Sequence, residues 1–423
     1  MKSKLIRSVF MFYILMIVIS CGSSSSSNSS TVTPTTNTPT TTTSTKKTQL
    51  FLGTGEYETE QAWDAVLRFD DVSAVTASDI VTPSGTVPLK TVKGTTGPNL
   101  NFGHGMFLYE SRDELFVASL FTTEGTPSEA TKPDVEAGSV GILSNASTID
   151  GSPTLTRHIF GSNTGFNKPH GLWVDTTKDI LYVANTFASK ISVFDTASTV
   201  DGNVAPDRTF QYNGIGFPVH LYSDVDNDRL FVVVMQSSAL NIFTAAVLIY
   251  NNASTLSGEV VPNVRIFGTN TRLDEGNNQT THNVMYDKNS KILFVGHHTN
   301  EVLMYDLSAV DLTPTTAVDL DLTPRVLKIN DKSGDSDKYD WSCYGIFHLA
   351  STDTLYVSCG NTIGGTDIKS GPPNNGAAAH VIKVYKDISD TSKSGLVTPD
   401  QKIYWSNVST YYPPQPLWVI EKE

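Results

Sequence analysis

The sequence is poor in charge, poorer in basic charge, and nearly without cysteine. Charged residues make up 17% of the 423, and 30 Lys and Arg stand against 43 Asp and Glu, a formal net charge of −13. A sequence-independent nucleic-acid binder needs a basic face to displace counterions, and this balance argues against one. Three cysteines exclude a disulfide-dense scaffold and a Cys-only zinc site. Beyond the N-terminus there is no long apolar run, which excludes a polytopic helical membrane protein. Helical periodicity, a Gly-rich phosphate loop, a GxSxG elbow and an HExxH helix are also missing. What the chain does have is 39% hydrophobic residues, enough for a sizeable core.

The first residues read as an address. Lys2, Lys4 and Arg7 precede an apolar stretch from Val9 to Ile19, too short to span a bilayer comfortably, so residues 1–20 are expected to be a signal peptide. Val18-Ile19-Ser20-Cys21 resembles the bacterial lipobox, which implies a lipidated Cys21 and a membrane anchor of several acyl chains. Gly22 after that cysteine resembles outer-membrane sorting, should the host have two membranes. Residues 21–47 are then the lipidated cysteine and a Ser/Thr-rich disordered tether, lacking apolar residues to offset the entropy of ordering. The expected location is the cell envelope.

Residues 48–423 repeat. A short Leu/Ile–Phe/Tyr–Val/Leu motif recurs at Leu50, Leu115, Leu181, Leu230, Leu293 and Leu355, each copy rich in β-branched and aromatic residues. The clearest unit, residues 169–212, parses into four strands: His170–Asp175, Ile180–Thr186, Ile191–Asp195 and Asp207–Tyr212. An Ala-Ser-Thr turn recurs at Ala146, Ala197 and Ala253 between the third and fourth strands. Six four-stranded antiparallel units predict an all-β, six-bladed β-propeller. The first unit lacks its inner strand, and Leu417-Trp418-Val419 at the C-terminus aligns with Leu172-Trp173-Val174 of the complete unit. The two chain ends are therefore expected to pair and close the ring, leaving no open inner edge. The unit resembles the repeats of the NHL and lactonase-like propeller families, which are common in bacterial surface lipoproteins. That resemblance implies the fold and leaves the activity open, because the architecture hosts lyases, lactonases and binders alike.

Cys343 and Cys359 fall opposite one another in the inner hairpin of the sixth blade, so an exported chain could join them as a disulfide; two buried thiols are the alternative. The long insertions, such as 121–137 and 361–379, fall mostly on one face of the propeller, which marks that face as the working surface. Histidines gather there too. His104, His170 and His282 occupy one aligned slot in blades two, three and five, and Tyr344 takes it in blade six. His220, His297, His298 and His380 lie nearby. Three imidazoles at a channel mouth could hold a zinc-class divalent ion, and propeller lyases with a His-bound metal resemble this arrangement. Calcium chemistry is disfavoured, since Asp224–Asp228 reads as turn residues and the aligned slot offers no carboxylates. Two functions remain open. One is a monomeric, envelope-anchored module binding a protein, glycan or small molecule through the elaborated face. The other is a metal-dependent hydrolase or lyase at the channel mouth.

Overall fold

All six copies of the repeated motif lie in the second strand of a sheet, as in Ile180–Asn185 and Arg229–Met235, where every residue is buried. β-Branched and aromatic residues suit a strand covered on both faces by neighbouring sheets. The computed structural model describes residues 46–54, 65–75, 80–89, 100–122, 138–212, 216–235, 245–274, 281–297, 300–329, 341–361, 381–405 and 417–422. Cys21, the signal peptide, most of the tether, His298, His380 and most of the long insertions lie outside these residues.

Six sheets follow one another, each with four antiparallel strands running from inner to outer, and four of them carry a fifth strand paired parallel at the rim. Each inner strand touches the inner strands of two neighbours, and the circuit closes from the sixth blade to the C-terminal strand to the second blade. The chain is thus a six-bladed propeller. In blade three the inner, second, third and outer strands are Pro169–Asp175, Ile180–Asn185, Lys190–Phe194 and Arg208–Gln211, within two residues of the sequence parse at every boundary.

Both chain ends enter the first blade. Leu417–Lys422 pairs antiparallel with Lys47–Thr54, in the register Leu417↔Leu52, Trp418↔Phe51 and Val419↔Leu50. A second closure lies at the rim. Ile80–Val81, in the first blade's connection between third and outer strands, pairs parallel with Tyr404 and Trp405 of the sixth blade. Gln401 donates its side-chain amide to the carbonyls of Val72 and Val75, at 2.7 and 2.8 Å.

That rim contact is one instance of a repeated clasp. The last residue of the hairpin turn, in the left-handed region at Asp113, Asp179 and Asp228, accepts both the backbone N–H and the hydroxyl of the Ala-Ser-Thr serine. The chain beyond that serine then reaches the preceding blade, as where Gly258 pairs with Phe210, or Gly395 with Leu327. Arginines tie the same joint: Arg157 donates to Ala197 O at 2.6 Å, Arg208 to Ser254 O at 2.7 Å, and Arg325 to Ile388 O at 3.0 Å. Asp224 and Asp228 belong to such a turn; Asn227 donates to Asp224 at 2.8 Å, and Asp228 holds Ser254.

Cys343 and Cys359 face each other in register and form a disulfide, with Cα atoms 4.1 Å apart. At the opposite end of the inner strands, Trp418, Phe107, Trp173, Tyr222, Met285 and Phe347 occupy one equivalent register position, opposite the motif's central aromatic residue. Neighbouring rings of this belt meet at centroid distances of 4.6 to 5.2 Å. The belt packs the channel from one side.

Candidate functional site

The aligned histidine slot has a specific backbone origin. Every inner strand of blades two to six carries a register shift at the same place: between Gly103 and Gly105, opposite Val183–Asn185, between Pro218 and His220, between Thr281 and Asn283, and between Cys343 and Gly345. His104, Val219, His282 and Tyr344 are the extra residues of these bulges, and His170 holds the slot in blade three. A β-bulge re-aims the side chain of its extra residue, and here the bulge recurs in five of the six blades at one height around a common axis.

His104 and His170 meet with ring centroids 4.7 Å apart, edge to face. His282 comes from the blade opposite His104, and their centroids lie 6.4 Å apart. The three rings therefore converge across the channel. Imidazoles sharing a tetrahedral ion at a metal–nitrogen distance of about 2.1 Å have centroids about 5 Å apart; the His104–His170 pair matches that value, while His104–His282 exceeds it, and the ring nitrogens of the three do not all lie within 4.8 Å of one another.

His170 is the best-defined member. It is buried, and its Nδ1–H donates to the Lys168 carbonyl at 2.9 Å. That bond leaves Nε2 as the ring's lone pair, the way second-shell carbonyls set up metal-ligating histidines. Burial pulls its pKa down to about 4, against a smaller upward pull from the Lys168 carbonyl, so the ring is neutral at physiological pH. His220, one position beyond the slot, is also buried and held at about pKa 4 for the same reason. It packs beneath its neighbour: a Cβ on Gly171 would stand 2.7 Å from His220 Cα and from Val219 O. A Cβ on Gly105 would likewise meet His170 O at 2.3 Å. The His-Gly pairs at 104–105 and 170–171 thus let one bulge nest against the next. Phe187, 43% exposed, stacks on Phe217 and lies 6.2 Å from the His170 ring, with Lys168 over its face.

The other sequence candidates are placed differently. His297 is buried at the end of its strand and donates Nε2–H to Leu273 O at 3.3 Å. Asn185 holds the same place in blade three and donates to Gly165 O at 2.8 Å, so both tie the incoming connection to its blade. Tyr344 is the bulged residue of blade six. His298 and His380 are outside the described residues.

A second cluster was not picked out in the sequence. Asp287, His348 and Asp353 bring one ligand atom each to within 4.8 Å of one another, the only such group among the described residues, and could hold a divalent cation. It lies at the hairpin-turn end of blades five and six, a strand's length from the histidine slot. His348 Nε2 is 3.1 Å from Asp353, and its ring stacks on Phe294 at 4.8 Å. Both carboxylates also serve the scaffold: Asp287 accepts from Asn289 and Ser290, which lower its pKa despite burial, and Asp353 is the clasp residue for Ser389. No sequence signal distinguishes it, because its members come from different blades and two of them are ordinary turn residues.

No family model and no curated protein matches the sequence. Among solved structures, the propeller is similar to a chain of the nidogen/laminin complex, at 10% identity and TM-score 0.48, over 88% of this chain and 98% of that one. It is similar to a periplasmic gluconolactonase of Pseudomonas aeruginosa, at 12% identity and TM-score 0.46, over 88% and 99%. A hypothetical selenium-binding protein of Sulfolobus tokodaii matches at 10% identity and TM-score 0.48, over 89% and 94%. Likenesses at this level assign no activity; what stands on the chain's own geometry is a six-bladed β-propeller with three imidazoles converging at one channel mouth.

Proposed function

We propose that this protein is a metal-dependent hydrolase or lyase working at the channel mouth. The observation that carries this reading is the convergence of His104, His170 and His282, two of them from opposite blades, at centroid distances of 4.7 and 6.4 Å. With the His282 ring drawn about 1 Å closer by an ion, three protein ligands would leave a fourth position for water or substrate, the pattern of catalytic rather than structural zinc. An ion held there would supply Lewis acidity and a water acidified to near neutral pH. His170 offers Nε2 because Lys168 O holds Nδ1–H, and burial keeps it neutral. Phe187 gives a substrate an apolar surface beside that ring.

The enzyme is an envelope lipoprotein, anchored through Cys21 and acting as a monomer. The second reading, a module that binds a protein, glycan or small molecule through the same face, is favoured by the exposure of Phe187 at the mouth. Protein purified without added metal tests the choice. One transition-metal ion per chain, lost together with hydrolysis of a panel of small esters and lactones in the His104→Ala/His170→Ala/His282→Ala variant, supports the enzyme. A metal-free chain whose melting is unmoved by zinc or nickel leaves the binding module. The anchor is tested separately: Cys21→Ser should abolish labelling by a palmitate analogue and partition into detergent.

A further inference from the structure

The opposite end of the channel holds a cavity of about 390 Å3, opening among the hairpin turns of blades two to four beside Trp418 of blade one. Its wall contains Phe107, Tyr109, Trp173, Tyr222 and Trp418, with Glu110 as the one charged residue. No lysine, arginine or histidine lines it. It is some three residues, roughly 10 Å, along the inner strands from the histidine slot, and separated from it by the aromatic belt. The size is that of a small-molecule pocket.

Its electrostatics are one-sided. Aromatic faces carry negative potential, and the rings here meet edge to face or tilted, so they do not all cover one another's faces. The only formal charge in the wall is a carboxylate. Withdrawal from water raises the Glu110 pKa, and the attraction of Lys422 offsets this only in part. A site with several aromatic side chains, one carboxylate at its edge and no cation is complementary to a weakly hydrated organic cation. A calcium- or magnesium-class ion would need several oxygen ligands, and one carboxylate does not provide them.

We propose that this cavity binds a small methylated ammonium ion, seated on Trp173, Trp418, Phe107 and Tyr222 and paired with Glu110. This site is independent of the channel-mouth chemistry and lies on the other face of the propeller.

Titration of the full chain with choline, followed by tryptophan fluorescence and calorimetry, tests it. The control ligand is 3,3-dimethylbutan-1-ol, its neutral isostere. Saturable choline binding, at least about tenfold tighter than the isostere, is expected. Glu110→Gln should weaken choline by about tenfold and leave the isostere unchanged. Trp173→Leu should weaken choline further, with circular dichroism confirming that the sheet persists. The triple alanine variant of the mouth histidines should bind choline as the parent does, so failure here and failure of the metal reading are separable. Equal binding of choline and its isostere would reduce the cavity to an apolar hole. Absence of saturable choline binding, or indifference to Glu110→Gln, would overturn the proposal.

Discussion

Deleting Leu417–Glu423 removes the inner strand of blade one, and the ring should lose its closure at the axis. Leu417, Trp418, Val419 and Ile420 are all nearly fully buried. Each contributes about 1.5–3 kcal/mol of burial, but the freed residues regain about 1–2 kcal/mol of backbone entropy apiece, and these two terms largely offset. What remains uncompensated is the partner surface. Phe51 loses its cross-strand neighbour, and Phe107, Trp173 and Phe347 lose ring contacts with Trp418 at 4.7, 5.2 and 5.0 Å. Wetting those four side chains costs on the order of 5–10 kcal/mol, comparable to the whole stability of a typical domain. The rim closure through Ile80, Val81 and Gln401 survives the deletion, so the chain should remain partly sheet-like. The assay is urea unfolding followed by both far- and near-ultraviolet circular dichroism. The full chain should give one coincident transition, and the truncated chain an early near-ultraviolet loss with retained sheet signal. Trp418→Ala should cost about 3–5 kcal/mol by itself. A truncated chain that unfolds in one transition at the parental midpoint would refute the closure argument.

Four further outcomes are expected. His170 and His220 have folded pKa values of about 4 against an ordinary 6.5, so the unfolded chain binds their protons more tightly. Their stabilisation, about 3 kcal/mol each, is complete above pH 6.5 and is lost as pH falls toward 4; the His170→Gln/His220→Gln variant should show a flatter loss in pH-dependent denaturant midpoints. Gly171→Ala drives a Cβ to 2.7 Å from backbone atoms of blade four and should destabilise by about 1–3 kcal/mol in thermal melts, with loss of any metal-induced stabilisation. Reducing the Cys343–Cys359 bond, which closes a span of 16 residues, should cost about 3 kcal/mol, read as a lower melting temperature in dithiothreitol that Cys343→Ser/Cys359→Ser no longer shows. A cation held by Asp287, His348 and Asp353 should raise the melting temperature in a way that His348→Ala removes and His104→Ala leaves intact; identical behaviour of the two variants would merge the sites.

The sequence by itself determined the blade count, the four-stranded core of each blade, the pairing of the two chain ends, the opposition of Cys343 and Cys359 and the shared slot of His104, His170 and His282; the fifth strand that four of the sheets gain from the next blade, and the closing of the disulfide, came only with the structure. These are legible because a repeat converts sequence alignment into spatial equivalence: the same offset from Leu181 or Leu115 is the same height on another blade. Tertiary structure decided whatever depends on differences between blades or on contacts across them. The Ala-Ser-Thr turn reads as a turn in sequence, and only packing shows that its serine is held by Asp179 or Asp228 while the chain beyond it joins the preceding blade. The bulge that aims the histidines is one unpaired residue in a ladder, and no residue type marks it. Asp287, His348 and Asp353 meet because two blades touch at that point, and alignment of equivalent positions cannot reveal a meeting of non-equivalent ones. The aromatic belt was present in the repeat as Trp173 and Trp418, but the open cavity beside Glu110 arises from side-chain shape, which the periodicity of strands does not encode.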